Sequence, residues 1–335
     1  MLHRAARIED VIQEFREQRA RKRGLLPTVI PYAGYGAPGW VRVLGRVLLT
    51  REGGKSGRAS VRGWRSFTSV AVNDTTVVVT VGDTEHRVLT DRGGVLDVRL
   101  PSDLAPGWQK VTIRTEDPAS KVGTPVEAPI YVVDPDSGFG IVSDIDDTVM
   151  VTALPRPFLA AWNTFVLDEH ARTPTPGMAV LYDRLDRQHP GAPIIYLSTG
   201  AWNVAPTLTR FLSRNLYPRG PLLLTDWGPT HDRIFRSGRQ HKERSLRQLA
   251  DEFPSLKWLL VGDDGQHDEE IYGQFATENP GRVAAVAIRQ LSPGEAVLAG
   301  GRSKAADWSS KTEVPWIYAM DGADLANQLK DLSLL

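Results

Sequence analysis

Apolar residues recur at helical intervals near the start of the chain. Ile8, Val11, Ile12 and Phe15 fall on one side of a helical repeat, which predicts an amphipathic helix within residues 1–26. Acidic and basic residues are mixed on its polar side. Packing against a neighbouring domain is therefore favoured over binding to an anionic membrane surface, although the pattern allows both.

Short apolar runs separated by turn-forming residues occupy positions 27–134. The predicted strands are Val41–Leu49, Ser69–Val72, Thr76–Val81, Val95–Leu100, Val111–Thr115 and Ile130–Val133. Clusters such as Asp91–Gly94 mark the turns. Several short strands at this spacing predict an all-β sandwich domain. The segment Asp134–Gly138, which contains Pro and Gly, is interpreted as a domain boundary.

From residue 138 to 335 apolar strand patterns alternate with helical ones. The predicted strands are Gly140–Ser143, Pro193–Ser198, Pro221–Leu224, Lys257–Val261, Val283–Ile288 and Trp316–Tyr318. The predicted helices are Gly177–Arg187, Ala205–Arg214, Lys242–Phe253, Asp268–Ala276 and one that begins near Asp321. This alternation predicts an α/β domain with a parallel, doubly wound sheet. In such a sheet ligands collect at the carboxyl ends of the strands.

Composition narrows the classes of function. The chain is 41% hydrophobic and 24% charged, which is typical of a globular protein. Lys+Arg and Asp+Glu number 40 each, so the basic excess of a nucleic-acid-binding protein is missing. The absence of cysteine excludes thiolate metal sites and thiol nucleophiles. No apolar run is long enough for a membrane span and no signal-peptide pattern begins the chain, so we expect a cytoplasmic protein.

Three carboxylates directly follow the first predicted strand of the α/β segment: Asp144, Asp146 and Asp147. Such close carboxylates repel one another unless a cation neutralises them, and an all-oxygen site suits Mg²⁺. A calcium-binding EF-hand loop is rejected, because its sixth position would be Val149 instead of Gly and its twelfth Pro155 instead of Glu. Taken alone, the cluster could also be a solvated acidic turn.

Residues of complementary chemistry follow other predicted strands or begin a predicted helix. They are Ser198, Thr199, Lys242, Asp263, Asp264 and Asp268. The hydroxyl groups can donate to an anion, and the lysine can place a compact positive charge on a phosphate. Because the carboxyl ends of parallel strands share one edge of a sheet, we expect these groups to meet the first acidic cluster in one crevice.

The order and setting of these groups resemble the four-part signature of the haloacid dehalogenase superfamily. The resemblance implies that Asp144 is a nucleophile that forms an aspartyl-phosphate, and that Asp146 is the general acid and base. It implies that Ser198 or Thr199, together with Lys242, binds the phosphoryl oxygens. It also implies a Mg²⁺ site whose ligands come from Asp144, Asp146 (backbone carbonyl), Asp263, Asp264 and Asp268.

Further motifs resemble the actin-patch-protein family of phosphatidate phosphatases. They are Ser143–Thr148, Asn163–Phe165, Pro176–Met178, Asp226–Trp227, His241–Lys242 and Gly262–Tyr272. The likeness covers roughly Gly138 to Gln290 and implies hydrolysis of phosphatidate, a lipid phosphate, to diacylglycerol and phosphate. The short interval between the first two motifs implies a small cap or none. Ser198–Trp202 departs from the Asn-Ser-Pro-Trp of family members. The sequence therefore does not decide whether Ser198 or Thr199 supplies the phosphate-binding hydroxyl.

Two other functions remain open. One is a phosphatase for a soluble or macromolecular phosphomonoester, and the other is a non-enzymatic lipid- or protein-binding module on a retired phosphatase fold. The intact Asp144, Asp146, Lys242 and Asp263 count against the second. The apolar run Ala153–Trp162 could contact acyl chains or the surface of a membrane, or it could pack in the core. The sequence makes no prediction of oligomeric state.

Overall fold

A computed structural model of the chain describes residues 14–51, 70–116, 124–151, 173–225, 234–265, 267–298, 301, 308 and 310–335. The chain divides into two compact units, Met1–Val132 and Val133–Leu335. The first unit contains a helix, α1 (14–22), and a mixed sheet. The second is α/β and contains a parallel sheet.

Nine strands form the sheet of the first unit. They are β1 (Leu25–Pro31), β2 (Gly34–Ala37), β3 (Gly39–Arg51), β4 (Val70–Ala71), β5 (Thr76–Val81), β6 (Thr84–Leu89), β7 (Val95–Ser102), β8 (Gly107–Thr115) and β9 (Val126–Val132). Only β2 and β9 pair in parallel among the described pairings of this sheet. The long β3 pairs with β1, β2, β4 and β7.

Every strand predicted for this region has a counterpart, whereas β1, β2 and β6 lie outside the predictions. Their sequences explain why. β1 contains Pro27 and Pro31, and β2 is half glycine, both of which weaken a strand pattern. β6 has no buried residue at all, so it lacks the alternation by which a half-buried strand is recognised.

The second unit alternates strands and helices. The strands are β10 (Phe139–Asp144), β11 (Met150–Val151), β12 (Thr173–Pro174), β13 (Ile194–Ala201), β14 (Leu222–Thr225), β15 (Lys257–Asp263), β16 (Val283–Arg289) and β17 (Trp316–Ala319). The described helices are α2 (Met178–Gln188), α3 (Ala205–Arg214), α4 (Ile234–Glu252), α5 (Asp268–Glu278), α6 (Pro293–Leu298) and α7 (Gly322–Asp331).

One prediction about these helices is wrong: Lys242 does not open a helix. Helix α4 begins at Ile234, so Lys242 lies about two turns inside it. The first turns contain Ser237 and Gly238, which are poor helix formers, and polar residues surround them. Apolar periodicity, the signal used for the prediction, is therefore absent from the first turns.

Six parallel strands of the second unit are ordered β14-β13-β10-β15-β16-β17. The first strand of the unit, β10, lies inside the sheet. From it the chain moves outward on one side through β13 and β14, and then on the other side through β15, β16 and β17. The strand order thus reverses at β10, and the crevice at its carboxyl end is where this architecture binds ligands.

A glycine in β10 leaves room for a large aromatic side chain of β15. Gly140 in β10 pairs with Trp258 in β15, and a Cβ atom at Gly140 would lie 2.5 Å from Cζ3 of the Trp258 ring. Trp258 is 1% exposed. The indole therefore fills the space that a side chain on β10 would occupy.

Helices pack in two pairs in this unit. Helix α2 contacts α7, and α4 contacts α5. Helix α4 also contacts β13 and β14, α5 contacts β15 and β16, and α7 contacts β16 and β17. Within the described part of the chain, no helix combines the length and the apolar composition that crossing a membrane requires.

Candidate active site

Asp144 is the last residue of β10, at the point where the strand order reverses, and its side chain is 2% exposed. The loop that follows is tightly hydrogen-bonded. Two successive backbone N–H groups, those of Val149 and Met150, donate to the Ile145 carbonyl. The N–H of Asp147 donates to the Met150 carbonyl, and Asp147 has a φ of 57°. Left-handed backbone is unfavourable for a non-glycine residue, so the loop depends on these contacts.

Lys242 lies between two aspartates. Its Nζ is 2.6 Å from Asp144 Oδ1 and 2.5 Å from Asp268 Oδ1. The lysine side chain is 4% exposed and both carboxylates are buried. Three elements that are distant in sequence, β10, α4 and α5, therefore meet at one buried cluster of charges.

Three carboxylates of this cluster are close enough to share a cation. Oxygen atoms of Asp144, Asp263 and Asp268 lie within 4.8 Å of one another. Asp144 Oδ2 and Asp263 Oδ2 are buried and accept no hydrogen bond from the described residues. A buried carboxylate oxygen without a donor is costly. An oxygen-only ligand set with two such atoms fits a hard divalent cation such as Mg²⁺.

The charges of the cluster shift one another's titration. Burial raises the pKa of Asp144 and of Asp263 well above the usual range; Lys242 opposes this, and neighbouring carboxylates add to it. Burial alone would lower the pKa of Lys242, but attraction to Asp144 and Asp268 outweighs it and raises that pKa. Lys242 is therefore a cation at neutral pH, while burial disfavours the ionised forms of Asp144 and Asp263.

Ser198 and Asp146 form a second contact at the same edge of the sheet. Ser198 Oγ donates to Asp146 Oδ2 over 3.0 Å and accepts from the Gly200 N–H over 3.0 Å. Ser198 is fully buried, whereas Thr199 is partly exposed, and the Thr199 carbonyl accepts from Thr225 Oγ1. In this structure Ser198 orients Asp146, and Thr199 is the more accessible of the two predicted hydroxyl groups.

Asp264 does not belong to the group of three carboxylates whose oxygen atoms lie within 4.8 Å of one another. Its Oδ1 accepts from the Leu291 N–H over 2.8 Å, and its own N–H donates to the Arg289 carbonyl over 3.0 Å. These bonds join the loop after β15 to the loop after β16. The adjacent Asp263 is fixed differently, since its Oδ1 accepts from the Gly265 N–H over 2.7 Å.

Sequence reasoning missed two side chains that contact the loop after Asp144. Arg289 Nη1 donates to the Asp147 carbonyl over 2.7 Å, and the Tyr217 hydroxyl donates to the Val149 carbonyl over 2.8 Å. Arg289 carries one available signal, because a charged residue directly ends the apolar run of β16 at the ligand-binding edge. Tyr217 carries none.

Comparison with known proteins identifies the same segment of the chain. Residues 139–290 match the family described as phosphatidate phosphatase APP1, catalytic domain. Phosphatidate phosphatase APP1 of Saccharomyces cerevisiae is 28% identical over 241 residues, covering 68% of this chain and 40% of that protein. An uncharacterised protein of Schizosaccharomyces pombe is 26% identical over 157 residues, covering 46% of this chain and 26% of that protein. The chain thus spans less than half the length of these curated relatives.

Likeness to solved structures is low. The carbohydrate acetylesterase XAC1771 from Xanthomonas citri has a TM-score of 0.29 and 11% identity, covering 79% of this chain and 68% of that chain. A TM-score of this size supports no argument about the fold.

The family match contains the whole described cluster. The residues concerned are Asp144, Asp146, Ser198, Lys242, Asp263 and Asp268, all between positions 139 and 290. The motifs predict a likeness over roughly Gly138 to Gln290, and the match covers nearly the same segment. The predicted likeness to the phosphatidate phosphatase family is therefore confirmed for residues 139–290 of this chain.

Proposed function

We propose that this chain is a phosphatase that hydrolyses a phosphate monoester at Asp144 and uses Mg²⁺ as its cofactor. The observation that carries the proposal is the position of Lys242 Nζ, 2.6 Å from Asp144 Oδ1 and 2.5 Å from Asp268 Oδ1. Asp144 would be the nucleophile, and the ammonium group of Lys242 would offset the negative charge of the phosphate. The neighbouring carboxylates would bind the cation. The family match over 139–290 supports the same reaction class.

In the proposed reaction an Asp144 oxygen attacks phosphorus, and the bond from phosphorus to the leaving alcohol oxygen breaks. Asp146 gives its proton to that oxygen. Asp146 then takes a proton from the water that attacks the aspartyl-phosphate, which releases phosphate and restores Asp144. Ser198 holds Asp146 for both transfers, and Lys242 offsets charge on the phosphoryl oxygens.

When bound, Mg²⁺ would stabilise the negative charge of the transferred group. Its proposed ligands are the carboxylates of Asp144, Asp263 and Asp268 and the backbone carbonyl of Asp146. Asp264 belongs to the predicted ligand set as well, and its bond to the Leu291 N–H suits it to hold the loop that presents Asp263.

We infer a doubly wound fold of the haloacid dehalogenase type for 138–335. Ser143 contacts Tyr182 of α2, while the next residue, Asp144, contacts Lys242 of α4. Consecutive residues of a strand point to opposite faces, so α2 and α4 cover opposite faces of the sheet.

For 27–134 we infer a sandwich, because β7 and β8 contribute residues to one apolar core but do not pair with each other.

We propose phosphatidate as the substrate, which would be converted to diacylglycerol and phosphate. The similarity to phosphatidate phosphatase APP1 of S. cerevisiae supports this choice. A protein that acts on a membrane lipid must touch the surface of the membrane, so we propose peripheral membrane contact. For the localisation we propose the cytoplasm. The apolar run Ala153–Trp162, for which the sequence allows both acyl contact and core packing, lies outside the described residues.

Phosphate release from a panel of substrates tests this function. The panel contains phosphatidate in detergent micelles and soluble phosphomonoesters, each with Mg²⁺ or with chelator. We expect release from phosphatidate that needs Mg²⁺ and that falls about 10³-fold or more in Asp144→Asn, because the nucleophile is lost. Asp183→Asn, an exposed aspartate of the same unit, is the matched control and should keep full activity.

Three results would contradict parts of the proposal separately. Release from soluble esters but not from phosphatidate would retain the phosphatase and reject the lipid substrate. Unchanged release by Asp144→Asn would reject the nucleophile, and binding of phosphatidate vesicles without any phosphate release would favour a non-enzymatic module.

A further inference from the structure

Two buried side chains donate hydrogen bonds to backbone carbonyls of residues 145–150, which are called the nucleophile loop from here on. Arg289, the last residue of β16, donates to the Asp147 carbonyl over 2.7 Å. Tyr217, which follows α3, donates to the Val149 carbonyl over 2.8 Å. Both side chains are 5% exposed or less. The backbone carbonyls of Asp147 and Val149 are thus held by side chains that lie far away in the sequence.

Arg289 is itself fixed by other partners. Its Nη2 donates to Glu295 Oε1 over 2.7 Å, and its Nε donates to the Met320 carbonyl over 3.4 Å. Glu295 is held in turn by the Ser292 N–H, 2.8 Å from its Oε2. A guanidinium group has several donors in one rigid plane, which lysine does not reproduce. The contact with Asp147 therefore comes from a side chain whose position is already determined.

Tyr217 is fixed by packing. Its ring lies 5.6 Å from the Tyr182 ring in an edge arrangement and 6.4 Å from the Phe211 ring. Burial raises the pKa of Tyr217, so its hydroxyl keeps the proton that it donates. Tyr182 also contacts Ser143, the residue before Asp144, with its hydroxyl 2.5 Å from Ser143 Oγ.

The loop needs such contacts because of its backbone. Asp147 has a φ of 57°, a left-handed conformation that costs an aspartate more than it costs a glycine. Asp144 precedes this residue by three positions, and Asp146 precedes it directly. A small rotation of the loop would move the Asp146 carboxylate away from Ser198.

We propose that Arg289 and Tyr217 are positioning residues for the reaction at Asp144. By holding the carbonyls of Asp147 and Val149, they keep Asp146 in place for proton transfer and Asp144 aligned for attack. Neither side chain touches the reacting atoms. This inference rests on the proposed phosphatase function.

Steady-state kinetics of Arg289→Lys and Tyr217→Phe test the inference. Misplacement of a reacting group by about 1 Å costs roughly 100-fold, so we expect kcat to fall about 10- to 100-fold in Arg289→Lys. Loss of one neutral hydrogen bond should lower kcat about 2- to 10-fold in Tyr217→Phe. Because substrate binding does not involve either residue, KM should stay within about 2-fold.

Two control variants remove equivalent contacts elsewhere in the same unit. Ser137→Ala deletes a hydroxyl that donates to the Phe139 carbonyl over 3.0 Å, at the opposite end of β10 from Asp144. Arg247→Lys alters an exposed pair with Glu278, at 3.2 Å. Both should keep the wild-type kcat.

Hydrogen exchange of the metal-free proteins gives a readout that does not depend on activity. The N–H groups of Asp147, Val149 and Met150 are hydrogen-bonded inside the loop. In Arg289→Lys and Tyr217→Phe we expect them to exchange about 10-fold faster than in the wild type, because local opening becomes easier. The N–H groups of β7 should exchange at the wild-type rate in both variants. In the two control variants the N–H groups of the loop should also exchange at the wild-type rate.

The outcomes separate this inference from the proposed function. If the wild type releases no phosphate from any substrate, the function fails and the positioning role fails with it, whatever the exchange rates. If the wild type is active but both variants keep its kcat, the positioning role alone is wrong. Faster exchange throughout the unit would show a merely structural role and would also overturn it. If Arg289→Lys does not fold, Tyr217→Phe decides by the same two measurements.

Discussion

Three buried aspartates and one lysine form the centre of the site. Asp144, Asp263 and Asp268 carry three negative charges when ionised, and Lys242 carries one positive charge. The difference is two negative charges, equal in size to the charge of a divalent cation. Because the charged groups are buried, this imbalance is costly without a cation. The first prediction at the scale of single residues follows from this imbalance.

Asp263→Asn should stabilise the metal-free protein at neutral pH. Burial raises the pKa of Asp263 in the folded state. The stability that this residue contributes is therefore complete below its unfolded pKa of about 3.9 and is lost as pH rises through the folded pKa. We expect the variant to be more stable than the wild type by about 1–4 kcal/mol at pH 7, with the difference shrinking towards pH 4.

Urea unfolding of both proteins in chelator, at pH 4 and at pH 7, measures that difference. Asp251→Asn, which changes an exposed aspartate of α4, is the control and should be neutral at both values. A difference that is equal at the two pH values would contradict the assignment of the effect to Asp263.

Gly262→Ala should slow phosphate release while leaving the protein folded. A Cβ atom at Gly262 would lie 2.6 Å from Asp268 Oδ2 and 2.7 Å from Cε2 of the buried Tyr272. Asp268 must then move away from Lys242, so we expect phosphate release to fall about 10- to 100-fold. Gly138→Ala is the control, since a Cβ there meets nothing within 4 Å. Wild-type kcat in Gly262→Ala would show that the position of Asp268 does not matter.

At the scale of elements, the pairing of β10 with β15 decides where the nucleophile lies. Gly140→Ala places a Cβ atom 2.5 Å from Trp258. Overpacking of this kind costs about 1–3 kcal/mol, so we expect the free energy of unfolding to fall by that amount in denaturant titrations. Gly294→Ala meets no atom within 4 Å and should change stability little. Equal stability of Gly140→Ala and wild type would mean that the Trp258 ring can move aside without cost.

Elements with a buried apolar side are the ones that sequence predicts. All residues of β10, and all but the first of β15, are buried, and both strands stand out as apolar runs. By contrast, β6 exposes or half-exposes each of its residues. Its pairing with β5 comes from backbone hydrogen bonds. Such bonds do not require a particular pattern of apolar and polar residues, so the sequence does not reveal them. Helix α4 begins before its apolar periodicity does, for the same reason.

At the scale of the whole molecule, a cation should act on one unit only. The carboxylates that could bind it belong to the second unit, and each unit buries its own apolar residues. At a Mg²⁺ concentration of 100 Kd, binding stabilises the folded state by about 2.7 kcal/mol. We expect slower hydrogen exchange in 139–151 and 257–278, and unchanged exchange in 76–102.

Exchange measured with and without Mg²⁺ checks this expectation, with Asp263→Asn as the variant that should lose the protection. Protection that is equal in both units, or absent from the segments around Asp144 and Asp263, would argue against the proposed ligand set.

Sequence by itself determined the chemistry available at each strand end. Asp144 and Asp263 are recognisable because apolar runs mark the strands before them, and such runs are local properties of the chain. The tertiary structure decided which of these groups meet. Ser198 reaches Asp146 across 52 positions, Lys242 reaches Asp268 across 26, and Arg289 reaches Asp147 across 142. These contacts depend on the order of the strands and on side-chain packing, which no local pattern encodes.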